Sequence, residues 1–537
     1  MNHDEYPVLI VGGSLIGLST SLFLAWHGIR SLAVERHPGT AIHPRAALFN
    51  QRTLELYRTV GLEEEISRKA DEEFLQDGAI MAVETLAGKE LAWFLPTLNH
   101  GVEDVSPCRR TYCTQNVLEP ILRRRAEELG ADTQYNSELV SFEADKDGVT
   151  ALIRERKTGK ERTIRAGYMV AADGNRSPVR EKLAIAMRGH GTFSNSATIY
   201  FKADVRQVLR DRPLSIIYVN NPKLKGFMRF ETHGQSGFLA VNAVMGPNGK
   251  VSDVAAEAND AKCIQMVRDA VGVPDLDVEI VVMQPWKAAA DAAERFQDGR
   301  IFLAGDAAHV MPPTGGFGGN TGVQDAHNLA WKLSMVLKRL AGPALLETYG
   351  AERQPASVFA VEQAYTRYVK RTDPSLGDHD IQPEEDDLRI ELGYRYHSTA
   401  IDNGDQGSDH GHEHPRESHA MPGTRAPHVY VQHNNNEISI LDLFVKNFVL
   451  LAGIEGEPWC RAAQKNAGAM GIGIDTYRVG ENCELQEQEG RLSQAYKLAD
   501  KGAVLVRPDG FVCWRSEEPV DNPELVLNRV LTRILSL

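Results

Sequence analysis

Gly12-Gly13-Ser14-Leu15-Ile16-Gly17 stands between an apolar run, Val8 to Val11, and a helical one, Leu15 to His27. A glycine turn at a strand-to-helix junction brings unpaired backbone N–H groups and the positive end of a helix to one point, which suits a pyrophosphate. The dinucleotide pattern is GxGxxG: Gly12 and Gly17 match it, while Ser14 takes the place of the middle glycine, with Gly13 before it. Glu35, followed by Arg36, closes the next β-rich run, where a carboxylate accepts hydrogen bonds from ribose hydroxyls. Two further segments carry related chemistry. In Ala171-Ala172-Asp173-Gly174-Asn175-Arg176-Ser177, Asp173 follows a strand and Ser177 opens a helix. Gly305-Asp306-Ala307-Ala308-His309 then precedes a glycine-rich stretch, Pro312 to Gly322. A carboxylate at a strand end can hold the hydroxyls of a polyol chain, and a glycine-rich backbone feeding a helix N-terminus stabilises negative charge on a ring.

The elements that must position these residues read as a βαβ unit at the N-terminus, with Ser31 to Val34 as its second strand. Helical patterning returns at Thr53 to Arg58 and Asn116 to Leu129, followed by strands at Leu139–Glu143, Val149–Arg154 and Thr163–Val170. Strand-like runs such as Ser215–Val219 and Gly237–Val244 then dominate, which predicts a sheet-rich domain inserted into the first. After the strand Arg300–Gly305 the glycine stretch reads as a loop and Gly322–Arg339 as a helix. Asn403–Thr424 lacks apolar periodicity and reads as an exposed linker. Beyond it, strands are expected at Ser439–Phe444, Phe448–Ala452, Thr476–Val479 and Ala503–Val506, with helices around Ala462–Ala469 and Pro523–Ser536. The expected division is 1–183 and 285–402 for the nucleotide domain, 184–284 for the inserted domain, 403–424 for the linker and 425–537 for a last βαβ-like domain.

A chain of 537 residues is too long for one core, so two or three domains are expected. Its net charge of −14 argues against nucleic acid or an anionic membrane as partner. The six cysteines form no CxxC pair, the N-terminus is polar, and no apolar run reaches membrane-spanning length; a cytoplasmic location is expected.

The three glycine and aspartate segments, in this order and spacing, resemble the class A flavoprotein aromatic hydroxylases, the para-hydroxybenzoate and phenol hydroxylase family, over about residues 1 to 370. The details are most similar to polyketide-tailoring members such as aklavinone 11-hydroxylase. The resemblance implies an α/β fold: a Rossmann-like FAD-binding domain, an inserted sheet-rich substrate domain and a C-terminal thioredoxin-like domain, whose signature is matched by Ile440–Phe444 and Val504–Gly510. Without a cysteine pair, packing or oligomer contact, such as a homodimer, is the simpler role for that last domain. The resemblance also implies non-covalent FAD with NAD(P)H as co-substrate, and hydroxylation of an aromatic substrate by O2 through a flavin C4a-hydroperoxide. Gly12, Gly13, Ser14, Leu15, Ile16 and Gly17 would take the pyrophosphate and Glu35 the ribose; Arg36 and Arg45 would lie beside the cofactor, Gln115 would contact its ribityl chain, and Val140 would bring backbone to the adenine. Asp173 belongs to a shared FAD and NAD(P)H motif, Asp306 to the ribityl motif, and Pro313, Gly318, Gly319 and Asn320 to the loop against the isoalloxazine.

The substrate side is less determined by sequence. Tyr218 could hydrogen-bond a phenol and Arg371, on the helix after the glycine loop, could favour its phenolate, although a Tyr at a strand end and an Arg on a helix also suit packing or surface. Trp286 and Pro313 are candidate substrate contacts, and a Trp on a strand also suits a core. His410, His412, His414 and His419 lie on a polar stretch without cysteine, which reads as a solvated loop and not a metal site; His309 reads as structural. Baeyer–Villiger insertion or epoxidation by the same motifs stays open, as does a flavin-binding protein that sequesters a ligand with little turnover.

Overall fold

Val8 to Val11 and Ser31 to Glu35 are continuously buried runs, the pattern of parallel strands covered on both faces. In the structure, a computed structural model describing residues 4–42, 46–245, 251–252, 259–377, 379–402 and 411–537, they lie in strands β1 (Asp4–Val11) and β2 (Ser31–Glu35) on either side of helix α1 (Leu15–Trp26). Their sheet runs β17 (Gln297–Asp298), β18 (Ile301–Leu303), β10 (Glu161–Ala171), β1, β2, β7 (Asp132–Tyr135), with β9 (Val149–Glu155) pairing antiparallel to β10 and to β8 (Ser137–Ala144). Val11 lies opposite Val34 and Ala171, and Ala171 opposite Leu303. Three chain segments therefore leave the sheet side by side at its carboxyl edge, where open α/β sheets bind ligands. They are Gly12, Ala172–Asp173 and Ala304–Gly305.

The second sheet runs β19 (His309–Val310), β16 (Glu279–Ala293), β11 (Met187–Lys202), β14 (Ser236–Met245), β13 (Leu224–Phe230), β12 (Leu214–Asn220), β4 (Ala79–Val83), β5 (Glu90–Leu95), with β15 (Val251–Ser252) beside β14. The chain thus builds this sheet partly from outside 184–284, because β4 pairs in parallel with β12. Alternation divides its faces. Ile199, Ile217, Met228 and Leu239 pack outward with Val267 and Val271, while Thr198, Tyr218, Phe227, Arg229 and Phe238 point to the inner face.

Helices α2 (Gln51–Thr59), α3 (Glu63–Glu73) and α4 (Gln115–Glu128) cover the first sheet, and α5 (Asp260–Val271) covers the second. Two long helices follow, α6 (Phe317–Leu337) and α7 (Glu347–Arg371). The expected loop is shorter than the sequence suggests, since α6 begins at Phe317 and not Gly322. Gly316, in the left-handed region at φ 70°, turns the chain into the helix, and the Asn320 side chain donates to the Gly316 carbonyl at 2.7 Å. Arg371 ends α7, the second long helix after the glycines and not the first.

In the C-terminal unit, β22 (Phe448–Ala452), α8 (Glu457–Met470) and β23 (Ile474–Arg478) form a parallel βαβ, followed by β24 (Ala503–Val506), β25 (Val512–Ser516) and α9 (Pro523–Ile534). The order is β23-β22-β24-β25, with β24 antiparallel to both neighbours. A hairpin of β20 (Tyr430–His433) and β21 (Asn436–Ser439) precedes it. Ile440–Leu443 is a 3-10 turn where a strand was expected: Ser439 Oγ accepts from Leu441 N and Asp442 Oδ2 from Ser439 N, and this capping box closes the turn. Over 411–424 the expected exposed linker is pinned instead. His412 stacks on Phe359 at 3.4 Å and Arg416 donates to Asp104 at 2.7 Å, while His410 lies outside the described residues. The unit shares one core with Trp331, Met335 and Leu345.

Candidate active site

The glycine turn is fixed by close contact. A Cβ on Gly12, at φ 110°, would lie 2.2 Å from the Ala172 carbonyl oxygen, and one on Gly17 would lie 1.9 Å from that of Gly12. Ser14 caps α1 by position, yet its hydroxyl makes no cap bond; it donates to Glu119 Oε1 at 2.6 Å. The first intrahelical bond runs from Leu18 N to Ser14 O, so the N–H groups of Leu15, Ile16 and Gly17 precede the helical ladder. A serine in the glycine position thus leaves the anion-binding end of the helix open. Glu35 accepts from Gly13 N and His37 N, both at 2.8 Å, and sits against the turn. Arg36 is exposed with its carbonyl bonded to Arg156, and Arg45 lies outside the described residues. Val140 is at a register shift of the β8–β9 hairpin with its side chain outward.

Gln115 and Glu119, one turn apart on α4, tie the turn to the chain that follows β2. Gln115 Nε2 donates to Glu119 at 2.9 Å, Gln115 Oε1 accepts from Ala46 N at 2.8 Å, and Glu119 Oε2 accepts from Ala41 N at 2.6 Å. On the neighbouring strand end Asp173 Oδ2 accepts from Val179 N at 3.2 Å, whereas its buried Oδ1 has no partner among the described residues. Burial raises its pKa above the usual value, against the pull of Ser177. Asp306 is exposed on the 3-10 turn Gly305–Ala307. Gly305 and Gly322 let α6 approach α1, since a Cβ on either would meet Ile16 at 2.6 Å. Pro313 is exposed, Gly318 and Gly319 are half-buried in the first turn of α6, and a Cβ on Gly319 would stand 3.3 Å from Leu15. Asn320 accepts from Asn50 N and Thr53 Oγ1 and donates to Leu48 O, so its side chain positions the helix. Below it, His309 is buried against Asp325 at 2.8 Å, and Asp325 also takes Arg353 at 2.8 Å.

The donor set fits FAD: an orphaned carboxylate oxygen on Asp173, a glycine cradle closed to any Cβ, and two helix N-termini near one sheet edge.

The inner face of the second sheet presents aromatic rings. Tyr218 meets Phe94 at 5.9 Å and Phe227 at 6.1 Å, and Phe227 meets Phe238 at 5.8 Å. Trp286 is half-buried and donates to Thr198 Oγ1 at 3.1 Å. The structure brings Arg371 close enough to Tyr218 for its charge to act on the phenol hydroxyl. Burial raises the Tyr218 pKa and Arg371 opposes that rise. Burial alone would lower Arg371, but Tyr218 and its ion-pair partner Glu384 hold it above the usual value. Sequence reasoning missed Glu119, Tyr112 and Arg229. Glu119 was accessible through its i,i+4 spacing from Gln115; the other two carry no motif.

A sheet with a dinucleotide cradle at its carboxyl edge, facing an aromatic-lined second sheet, defines a flavoprotein that works on aromatic rings. Residues 5–364 match the family model described as an FAD binding domain, and 419–536 match that of the aromatic-ring hydroxylase C-terminal domain. The chain is 51% identical over 99% of its length to 4-methyl-5-nitrocatechol 5-monooxygenase of a Burkholderia species, covering 98% of that protein. It is 40% identical to tetracenomycin B2 monooxygenase-dioxygenase of Streptomyces olivaceus, with 100% of each covered. The crystal structure of aklavinone-11 hydroxylase with FAD and aklavinone superposes with a TM-score of 0.94 at 36% identity, covering 100% of both chains. The chain belongs to the FAD-dependent aromatic-ring hydroxylases and is a flavin monooxygenase with NAD(P)H as co-substrate. Among the described residues no helix is long and apolar enough to cross a membrane.

Proposed function

We propose that this enzyme hydroxylates a phenolic ring held between the inner face of the second sheet and the first turn of α6, with Tyr218 and Arg371 favouring the phenolate. The observation that carries this reading is the place of Tyr218 among the rings of Phe94 and Phe227 on that face, with the Arg371 charge near its hydroxyl. Tyr218, kept protonated by burial, donates to the substrate oxygen, and Arg371 behind it supplies the positive charge that favours the deprotonated ring. Trp286 and Pro313 wall the ring. Leu15, Ile16 and Gly17 present N–H groups to the FAD pyrophosphate; Glu35 takes the ribose, Asp306 the ribityl chain and Asp173 the region shared with NAD(P)H. When bound, FAD supplies the redox chemistry that activates O2. Phe227 and Phe238, half-buried on that face, keep water from the ring.

The relatives include a nitrocatechol monooxygenase and polyketide oxygenases, and the higher identity to the former favours a small hydroxylated ring. The C-terminal unit we read as a thioredoxin-like scaffold: its sheet order supports the reading, and Cys460, Cys483 and Cys513 are all free. The test is NAD(P)H oxidation by the FAD-loaded enzyme with 4-methyl-5-nitrocatechol and with a polycyclic phenolic polyketide, following product and H2O2. We expect a substrate-dependent rise with oxygen incorporated, and Tyr218→Phe to lower kcat about 10-fold or more with greater loss to H2O2. Absence of stimulation by any phenol, or an unchanged Tyr218→Phe, would overturn it.

A further inference from the structure

Arg229 is a buried cation without an acceptor among the described residues. It lies on the inner face of β13 at 2% exposure, and none of its three guanidinium nitrogens has a hydrogen-bond partner among the described residues. The guanidinium is clamped between two rings, 3.2 Å from the centroid of Tyr112 and 3.8 Å from that of Phe74. Gln76 locks the clamp: its Nε2 donates to Phe74 O and Tyr112 O, and its Oε1 accepts from Tyr112 N at 2.7 Å. The acidic side chain that acts on Arg229, Glu73, uses both oxygens on Thr114. Burial pushes the Arg229 pKa down to about 9, with Tyr112 and Glu73 offsetting only part of the effect. The Tyr112 hydroxyl is likewise buried without a partner among the described residues, and the Tyr218 phenol lies near enough to raise its pKa.

The place of the clamp matters. Tyr112 is on the two-residue strand β6 (Thr111–Tyr112), which pairs with β3 (Leu48–Phe49), and a Cβ on Gly316 would stand 3.1 Å from Leu48. Phe227, two residues before Arg229 on the same face, meets Tyr218. Arg229 and Tyr112 therefore flank the same region as the Tyr218–Arg371 pair, close to the turn that starts α6. Ring stacking orients a guanidinium without satisfying its in-plane N–H groups, and an unpaired buried charge is retained where a ligand completes it.

We propose that Arg229 and the Tyr112 hydroxyl form a specificity subsite for a second oxygen-bearing, electron-withdrawing substituent of the aromatic substrate, a nitro or carboxylate group on the ring whose hydroxyl meets Tyr218. This assignment rests on the phenolic-ring reading above. It predicts that the enzyme distinguishes rings by a substituent remote from the hydroxyl that Tyr218 binds, and that the discrimination resides in the guanidinium.

The test is titration of the oxidised, FAD-loaded enzyme with 4-methyl-5-nitrocatechol and with 4-methylcatechol, read by the change in the flavin absorption spectrum, for wild type, Arg229→Met, Arg229→Lys and Tyr112→Phe. Wild type should prefer the nitro ring. Arg229→Met should weaken the nitro ring about 10- to 100-fold, the loss expected for hydrogen bonds to a charged group, and change 4-methylcatechol less than about 2-fold. Arg229→Lys should fall between, and Tyr112→Phe should weaken the nitro ring alone. Thermal unfolding of ligand-free Arg229→Met should match or exceed wild type, since it removes an unpaired buried charge. Equal weakening of both rings would make Arg229 a structural cation and overturn the proposal, as would an intact nitro preference in Arg229→Met. If wild type turns over both catechols with equal affinity, Arg229 is wrong and the phenolic reading stands; if no phenol binds or stimulates wild type, both fall.

Discussion

Glu352 is where the C-terminal unit is held, and removing its charge is the sharpest test of that contact. Its carboxylate is fully buried and accepts from Arg507 at 2.6 and 2.9 Å, Lys332 and Asn328 at 2.8 Å and Ser398 at 2.6 Å. Burial would raise its pKa, but Arg507 and Lys332 outweigh that and hold it below the usual range. Glu352→Gln keeps the shape and leaves Lys332 and Arg507 with Asp509 alone, while turning an amide NH2 towards donors. Breaking a buried pair in this way costs about 3–5 kcal/mol. A cooperative unit of 537 residues has an unfolding entropy of about 1.1 kcal/mol/K, so Tm should fall about 3–4 °C. Lys332→Met should cost less, because burial already pushes the Lys332 ammonium down to about 8 despite Glu352. The unfolded chain holds that proton more tightly than the folded one between about pH 8 and the usual 10.5, so the Lys332 contribution to stability rises with pH across that window. Wild type should therefore gain on Lys332→Met from pH 8 to 10. Calorimetry of the FAD-loaded proteins decides. A Glu352→Gln midpoint within 1 °C of wild type, or a larger loss in Lys332→Met, would refute the reasoning.

Gly17→Ala should lose FAD on purification by at least about 10-fold while keeping its far-ultraviolet circular dichroism, because the new Cβ stands 1.9 Å from the Gly12 carbonyl and must push α1 off the turn; a fully yellow variant counts against the cradle. Ser14→Ala removes the donor to buried Glu119 and should weaken FAD about 10-fold, read by flavin fluorescence on dilution, whereas unchanged affinity would reduce the Ser14–Glu119 bond to packing. Burial raises the Asp173 pKa above its usual 3.8, so in the apoprotein its contribution is complete below that value and is lost as pH rises through the folded one. Apo Asp173→Asn should then exceed wild type in Tm at pH 7 and lose the advantage towards pH 4; a difference independent of pH would show that Asp173 is not strained.

The nucleotide cradle was readable because each part is local: Gly12 to Gly17, Asp173 and Gly305–Asp306 each follow a strand end, and parallel pairing of β1, β10 and β18 brings them together without further information. The substrate face is another matter. Tyr112, the hairpin that carries Tyr218 and Arg229, and Arg371 come from three separate parts of the chain, and β4 joins the sheet of β12 by a pairing that no residue pattern announces. Two local misreadings have local causes. Glycines at 318 and 319 weaken a helical pattern, yet Gly316 and the Asn320 side chain start α6 upstream of them. Ser439 and Asp442 form a capping box inside an apolar run that otherwise looks like a strand.

The scaffold role of the C-terminal unit follows from where α7 begins and ends. Glu352, near its start, is gripped by Arg507 from the C-terminal unit, and Arg371 is its last residue, about 28 Å further along the helix axis. Between them Arg353 is anchored on Asp325, and Val361, Tyr365 and Val369 pack with Ala290 of β16. A helix fixed along its length transmits little of a disturbance at one end. Glu352→Gln should thus lower the midpoint and leave the pH dependence of kcat unchanged, because the Tyr218–Arg371 pair is positioned by β16 and Glu384 and not by the distant clamp. A shifted pH profile in Glu352→Gln would mean that α7 moves as a lever, and that the C-terminal unit sets the position of Arg371.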